Sequence, residues 1–165
     1  MIARITGVLV ERSLESVVVD VHGMGYEIAV TPRTLAQLPG VGEEVVLHTH
    51  LHVREDQMAL FGFDSLADKD LFSILLGVSG VGPKVAMAIL ATFTHDQLRI
   101  AVASDDIAAL TAVPGIGKRS AQKLLLEVKP KLDVADAHIE SSGPMAEVRE
   151  ALASLGYAPE EIRGT

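Results

Sequence analysis

One stretch of this chain says nearly the same thing twice. Leu75-Leu76-Gly77-Val78-Ser79-Gly80-Val81-Gly82-Pro83-Lys84 returns as Leu110-Thr111-Ala112-Val113-Pro114-Gly115-Ile116-Gly117-Lys118-Arg119, at a constant offset of 35 residues. An internal repeat constrains architecture before any other feature, because each copy has to fold as the same supersecondary unit. Each copy reads as the end of a hydrophobic helix, a tight Gly-apolar-Gly hairpin, and a second helix that opens on a basic residue.

That arrangement suits one ligand chemistry. A phosphate needs several donors converging on it, and a chain supplies them most compactly as backbone N–H groups. Glycines allow the positive φ of a tight turn, and their missing Cβ lets a phosphate come close. The open N–H groups at the start of the following helix add donors and partial positive charge. Expected participants are Ser79, Gly80, Val81, Gly82 and Lys84 in the first copy. In the second they are Pro114, Gly115, Ile116, Gly117, Lys118, Arg119 and Lys123, the last sharing a helix face with Arg119. Val81 and Ile116 are expected to point inward and pin each hairpin between its helices. This is the helix-hairpin-helix motif. A lone Gly-x-Gly before a helix is more often a plain turn, but two copies in fixed register, each leading to a basic residue, make that the weaker reading. Contacts of this kind go to the nucleic-acid backbone, so they are largely independent of sequence and sensitive to salt.

The net charge of −8 argues against a nucleic-acid binder only as an average. Residues 1–74 carry a net −6 and residues 132–165 a net −5, whereas residues 75–131 carry +3. The positive balance sits on the repeat, and binding responds to the field within a Debye length of roughly 8–10 Å. Cysteine is absent, which excludes disulfides and cysteine metal sites and agrees with a reducing cytosol. No apolar run reaches the roughly 18 residues of a membrane span, and the opening residues lack a signal-peptide layout, so a cytoplasmic protein is expected. Aromatic residues make up 4% of the chain, too few for base-stacking platforms to dominate.

Taken in order, residues 1–63 read as β. Ile2–Val10, Val17–Val21, Tyr26–Val30, Val45–Val53 and Met58–Phe63 are short runs rich in Val, Ile, Leu and Thr, punctuated by Gly23-Met24-Gly25 and Pro39-Gly40-Val41-Gly42. Thr34 to Leu38 has room for one helical turn. Five short antiparallel strands suggest a small closed barrel of the OB type, with a small sandwich as the alternative. At Ser65 the period changes from two to 3.6. Ser65-Leu66-Ala67-Asp68 and Thr94-His95-Asp96-Gln97 read as capping boxes, Ser104-Asp105-Asp106 as a further cap, and Pro83 as a first helical residue. Pro130 is expected to end the last helix of the repeat. The fold class is therefore α+β: an OB-like five-stranded barrel (1–63), an all-α double helix-hairpin-helix domain (64–131), a flexible acidic linker (132–144), and a partial helical, UBA-like domain (145–165).

His48, His50 and His52 alternate along one strand and share a face, a spacing able to bind zinc. Alternating positions in a small barrel more often record packing, so no metal and no cofactor is expected. There is no Gly-x-x-x-x-Gly-Lys-Ser/Thr loop, so ATP hydrolysis would have to come from a partner. Helix-hairpin-helix units also occur in glycosylases, polymerases and nucleases. Base excision needs a positioned carboxylate or lysine in a deep pocket, and no such constellation follows Gly117, Glu127 at a helix end being a poor candidate. A general DNA-binding module, or an accessory module of a repair enzyme, is the alternative to a specialised binder.

With both hairpins in view, the whole arrangement resembles the RuvA family of Holliday-junction-binding proteins. The resemblance includes Met1-Ile2-Ala3-Arg4-Ile5-Thr6-Gly7, Gly23-Met24-Gly25-Tyr26, Val53-Arg54-Glu55-Asp56 and Leu60-Phe61-Gly62-Phe63, then the double hairpin and acidic linker. It implies a non-enzymatic scaffold, assembled as a homotetramer, that holds a four-way DNA junction open and square-planar. It further implies recruitment of the RuvB hexameric ATPase, which drives branch migration, and a junction shared with the RuvC resolvase. Glu55 and Asp56 match the family's acidic pin near the junction centre, where carboxylates repel phosphates and disfavour plain duplex. Arg54 falls where members carry a basic residue near the junction; its bland reading is a surface arginine paired with Glu55 or Asp56. Residues from Met145 resemble the start of the three-helix domain that docks onto the motor, of which about two helices are expected here.

Overall fold

The computed structural model describes residues 1–142. Residues 1–128 form one compact unit. Its first half is built from β1 (Arg4–Arg12), β2 (Ser16–Val21), β3 (Met24–Val30), a short α1 (Pro32–Gln37), β4 (Glu44–Val53) and β5 (Met58–Phe63). Its second half begins with α2 (Leu66–Leu76), α3 (Pro83–Thr92), α4 (His95–Ala103) and α5 (Ile107–Thr111), and the start of α6 (Lys118–Ser142) completes it. The helical turn expected at Thr34–Leu38 is α1. The expected helices after Met145 lie outside the described residues. Among the described residues no helix is long and apolar enough to cross a membrane.

The strands close into a barrel in the order β1-β2-β3-β5-β4. Period-two alternation turns Ile5, Leu9, Val17, Val19, Ile28, Val30, Val45 and Leu47 into one core, and Leu35 and Leu38 of the α1 segment pack against it. Two details differ from the sequence expectation. The turn joining β2 to β3 is His22-Gly23, both at positive φ, so Met24 and Gly25 already belong to β3. The strands are also not all antiparallel: β3 and β5 run parallel, with Ile28 opposite Leu60 and Val30 opposite Gly62. Closure explains this. A ring with an odd number of strands cannot alternate direction all the way round, so at least one neighbouring pair must be parallel.

Closure also requires close approach. A Cβ on Gly7 would overlap the Asp20 carbonyl oxygen, and one on Gly62 would lie 2.6 Å from Ile28 Cγ2. Gly62 therefore faces the barrel interior, and its neighbours Phe61 and Phe63 face outward. There they meet Phe72 of α2, with ring centroids 5.0 Å apart in each pair. Arg33 of α1 ties the same junction by donating to Asp68 of α2 and to the Phe93 carbonyl after α3, each at 3.1 Å. The helices start where the sequence places them. The Ser65 hydroxyl accepts from the Asp68 N–H, and Thr94 with Gln97 forms a full capping box.

The last helix corrects an expectation. It runs from Lys118 to Ser142 with Pro130 inside it, so Pro130 does not end it, and residues 132–142, expected to begin a flexible linker, continue it. Proline at 130 withdraws the N–H that would have bonded the Leu126 carbonyl. Leu126, whose carbonyl loses that partner, is 79% exposed.

Candidate nucleic-acid interface

The repeat in sequence is a repeat in hydrogen bonds. In the first hairpin the Val81 N–H donates to the Val78 carbonyl at 3.1 Å, and the Ala86 N–H to the Gly82 carbonyl at 2.9 Å. In the second, the Ile116 N–H donates to the Val113 carbonyl at 3.1 Å, and the Ala121 N–H to the Gly117 carbonyl at 2.9 Å. Each of these four residues in one copy lies 35 positions from its counterpart in the other. Gly80 and Gly115 sit at φ +85° and +89°, a conformation a Cβ would oppose. Gly82 caps α3 in extended backbone, with Pro83 as the first helical residue. Buried Val78, Val113 and Ile116 anchor the hairpins from below; Ile116 points inward as expected, while Val81 is only half-buried.

What the hairpins expose is backbone. Among the described residues no hydrogen bond occupies the N–H groups of Gly80, Gly82 and Lys84, nor those of Gly115, Gly117, Lys118 and Arg119. No atom lies within 4 Å of a Cβ built on Gly80, Gly82 or Gly117, so the space over these amides is open. Lys84, Lys118, Arg119 and Lys123 are all exposed at the starts of α3 and α6. The hairpins also exchange supports. The first hairpin reaches α6 through Ser79 and Glu127, and a Cβ on Gly115 of the second would lie 3.5 Å from Val85 of α3. The fold thus brings two like-built sets of donors onto one helical unit.

Two placements escaped sequence reasoning. The Ser79 N–H is not open: it donates to Glu127 Oε2 at 3.0 Å. The other oxygen of the same carboxylate lies 4.0 Å from Lys123 Nζ, so part of that lysine's charge is already answered. Ser79 and Glu127 are 48 residues apart, and no local pattern links them.

Glu55 and Asp56 sit with Arg54 at the tip of the β4–β5 turn, all exposed. The turn is closed by the Arg54 N–H donating to the Gln57 carbonyl at 2.8 Å. The Arg54 guanidinium is not paired with either carboxylate; its Nε donates to His52 Nε2 at 3.2 Å. Among the described residues no ion pair or side-chain hydrogen bond engages Glu55 or Asp56, and none joins this turn to the hairpins. Within the histidine stripe on β4, His50 lies edge-on to Phe72 with centroids 5.3 Å apart. Burial chiefly, then the neighbouring charges of His52 and Lys69, holds the His50 pKa below its usual value. Among the described residues no three His, Cys, Asp or Glu side chains group as a metal would require.

Fold and hairpins together define a class: an OB-type barrel carrying a tandem helix-hairpin-helix unit. Comparison with known proteins narrows it. Residues 1–62 match the RuvA N terminal domain, and residues 72–130 match the SAM-like helix-hairpin-helix tandem. A protein of Herpetosiphon aurantiacus is 48% identical over 99% of this chain and 86% of its own length. Relatives from Rubrobacter xylanophilus and Halorhodospira halophila are 45% and 42% identical, each over 98% of this chain and 85% of their own length. All three are named Holliday junction branch migration complex subunit RuvA. This chain belongs to the RuvA family.

Proposed function

We propose that this protein is the junction-binding scaffold of a branch migration complex in homologous recombination and DNA repair. It holds four-way junction DNA open as a homotetramer and presents it to the RuvB ATPase, with RuvC acting on the same junction. The chain itself performs no catalysis; ATP hydrolysis belongs to the motor, and the assembly works in the cytoplasm. The observation that carries the reading is the duplicated hairpin, whose uncovered amides and helix-start cations form a similar donor set twice. Such a set holds phosphates without reading bases.

Junction preference has a different source. Glu55, Asp56 and Arg54 sit exposed at the tip of the β4–β5 turn, and among the described residues no ion pair answers the two carboxylates. Phosphates approaching that tip are repelled, which penalises an uninterrupted duplex more than a junction whose strands part at the centre. Neutralising the tip with Glu55→Gln and Asp56→Asn is expected to tighten binding to plain duplex and narrow the preference for junction. Equal discrimination before and after the double substitution, in titrations at one salt concentration, would remove the pin from this account.

A further inference from the structure

The two hairpins are built alike but are not electrostatically alike, and Glu127 is the difference. Ser79 offers its N–H to the Glu127 carboxylate at 3.0 Å, immediately before the uncovered amide of Gly80. The position 35 residues on is Pro114, which has no N–H to offer. The position 35 residues before Glu127 is Thr92, which carries no charge. The second hairpin therefore has neither the donor nor the acid. A carboxylate accepting from a hairpin amide does what a phosphate oxygen would do there. It also places a negative charge beside the site that a phosphate has to enter, and it partly answers Lys123, 4.0 Å away. Around the first hairpin the only helix-start cation is Lys84, whereas the second has Lys118 and Arg119.

We propose that Glu127 is a resident anion that weakens the first hairpin's hold on the DNA backbone, making it the readily released grip and the second hairpin the firm one. This rests on the reading of both hairpins as phosphate grips. A junction whose arms must slide through the protein is served by one contact that lets go easily beside one that keeps register. The carboxylate also holds the hairpin's amide in place when DNA is absent, so the shape is kept between encounters.

The test is a salt series of anisotropy titrations on labelled four-way junction, comparing the wild type with Glu127→Gln and Glu127→Ala. Glutamine keeps an acceptor for the Ser79 N–H but removes the charge. Glu127→Gln is expected to bind about three- to tenfold tighter at low salt, where like-charge repulsion is least screened. The slope of log K against log salt should steepen by about 0.9, because Lys123, which shares the carboxylate that reaches Ser79 and so stands on the first hairpin's side of α6, is freed to join one phosphate there. Adding Lys123→Ala to Glu127→Gln should return the slope to the wild-type value. Glu127→Ala should share the steeper slope, with a smaller gain in affinity because the hairpin loses its tie. If Glu127→Gln binds equally or more weakly with an unchanged slope, Glu127 only holds the hairpin's shape and the proposal is wrong. A parallel arm with Gly82→Ala and Gly117→Ala separates the two levels. Lost binding there without a gain in Glu127→Gln overturns this inference alone, and unimpaired binding overturns the grip reading and this inference together.

Discussion

The hairpin glycines divide into two kinds at the level of single residues, and the division lets fold and binding be separated. Gly80 and Gly115 lie at positive φ, so any side chain there opposes the backbone by about 1–2 kcal/mol before DNA is considered. Gly82 has an ordinary φ of −91° and open space where a Cβ would stand. Gly117 likewise has nothing within 4 Å. Gly82→Ala with Gly117→Ala should therefore cost at most about 1 kcal/mol of stability apiece, alanine being a poorer helix cap than glycine, while weakening junction binding at least about tenfold, since hydrogen bonds to a charged group are worth roughly 1.5–3 kcal/mol each. A loss of stability without a loss of affinity would show that these glycines serve the turn and not the ligand. His50 gives a second residue-scale prediction. Its folded pKa lies below about 6.5, its unfolded value, because burial against Phe72 disfavours the charged ring. Well above pH 6.5 neither state holds the proton and the group is silent. As pH falls through 6.5 the unfolded chain takes up the proton first, so stability declines until the folded ring is protonated too. The drop in urea midpoint from pH 7.5 to 5.5 should be smaller in His50→Gln than in the wild type; equal drops would remove His50 as a contributor.

Among the elements, the joint between barrel and helices rests on a few named contacts. Arg33 bonds Asp68 and the Phe93 carbonyl, so one side chain spans α1, the start of α2 and the end of α3. Arg33→Ala leaves a largely buried Asp68 carboxylate without its partner and should cost about 1–3 kcal/mol in chemical denaturation. A change within about 0.5 kcal/mol would place Arg33 among ordinary surface residues. Local chemistry made most elements legible in the sequence. Ser65 and Thr94 announced their helices, alternation announced the strands, and the glycines with Pro83 announced the first hairpin. Contacts set by the closed fold were not legible. No periodicity encodes that β5 lies parallel to β3, because that pairing follows from closing an odd-numbered ring. The Ser79–Glu127 bond joins groups brought together only by the packing of one hairpin on the other copy's helix. Pro130 misled because a proline removes one bond of a helix without always ending it.

Across the whole molecule, charge is sorted by segment. The repeat carries a net positive balance within an acidic chain, and Lys84, Lys118 and Arg119 stand at the helix starts where amides are uncovered. On the proposed reading the hairpins supply affinity that ignores base sequence, and affinity of that kind cannot by itself tell a junction from a duplex. Discrimination has to come from elsewhere on the molecule, and we propose the carboxylate-tipped β4–β5 turn as its source. The central claim is thus a ratio of affinities. It is tested most directly by displacing labelled four-way junction from the protein, at one fixed salt concentration, with either unlabelled junction or unlabelled duplex of equal length. The account predicts that junction displaces the label at concentrations where duplex leaves the complex intact. Displacement by duplex and junction at the same concentration would contradict it and leave a general DNA-binding module.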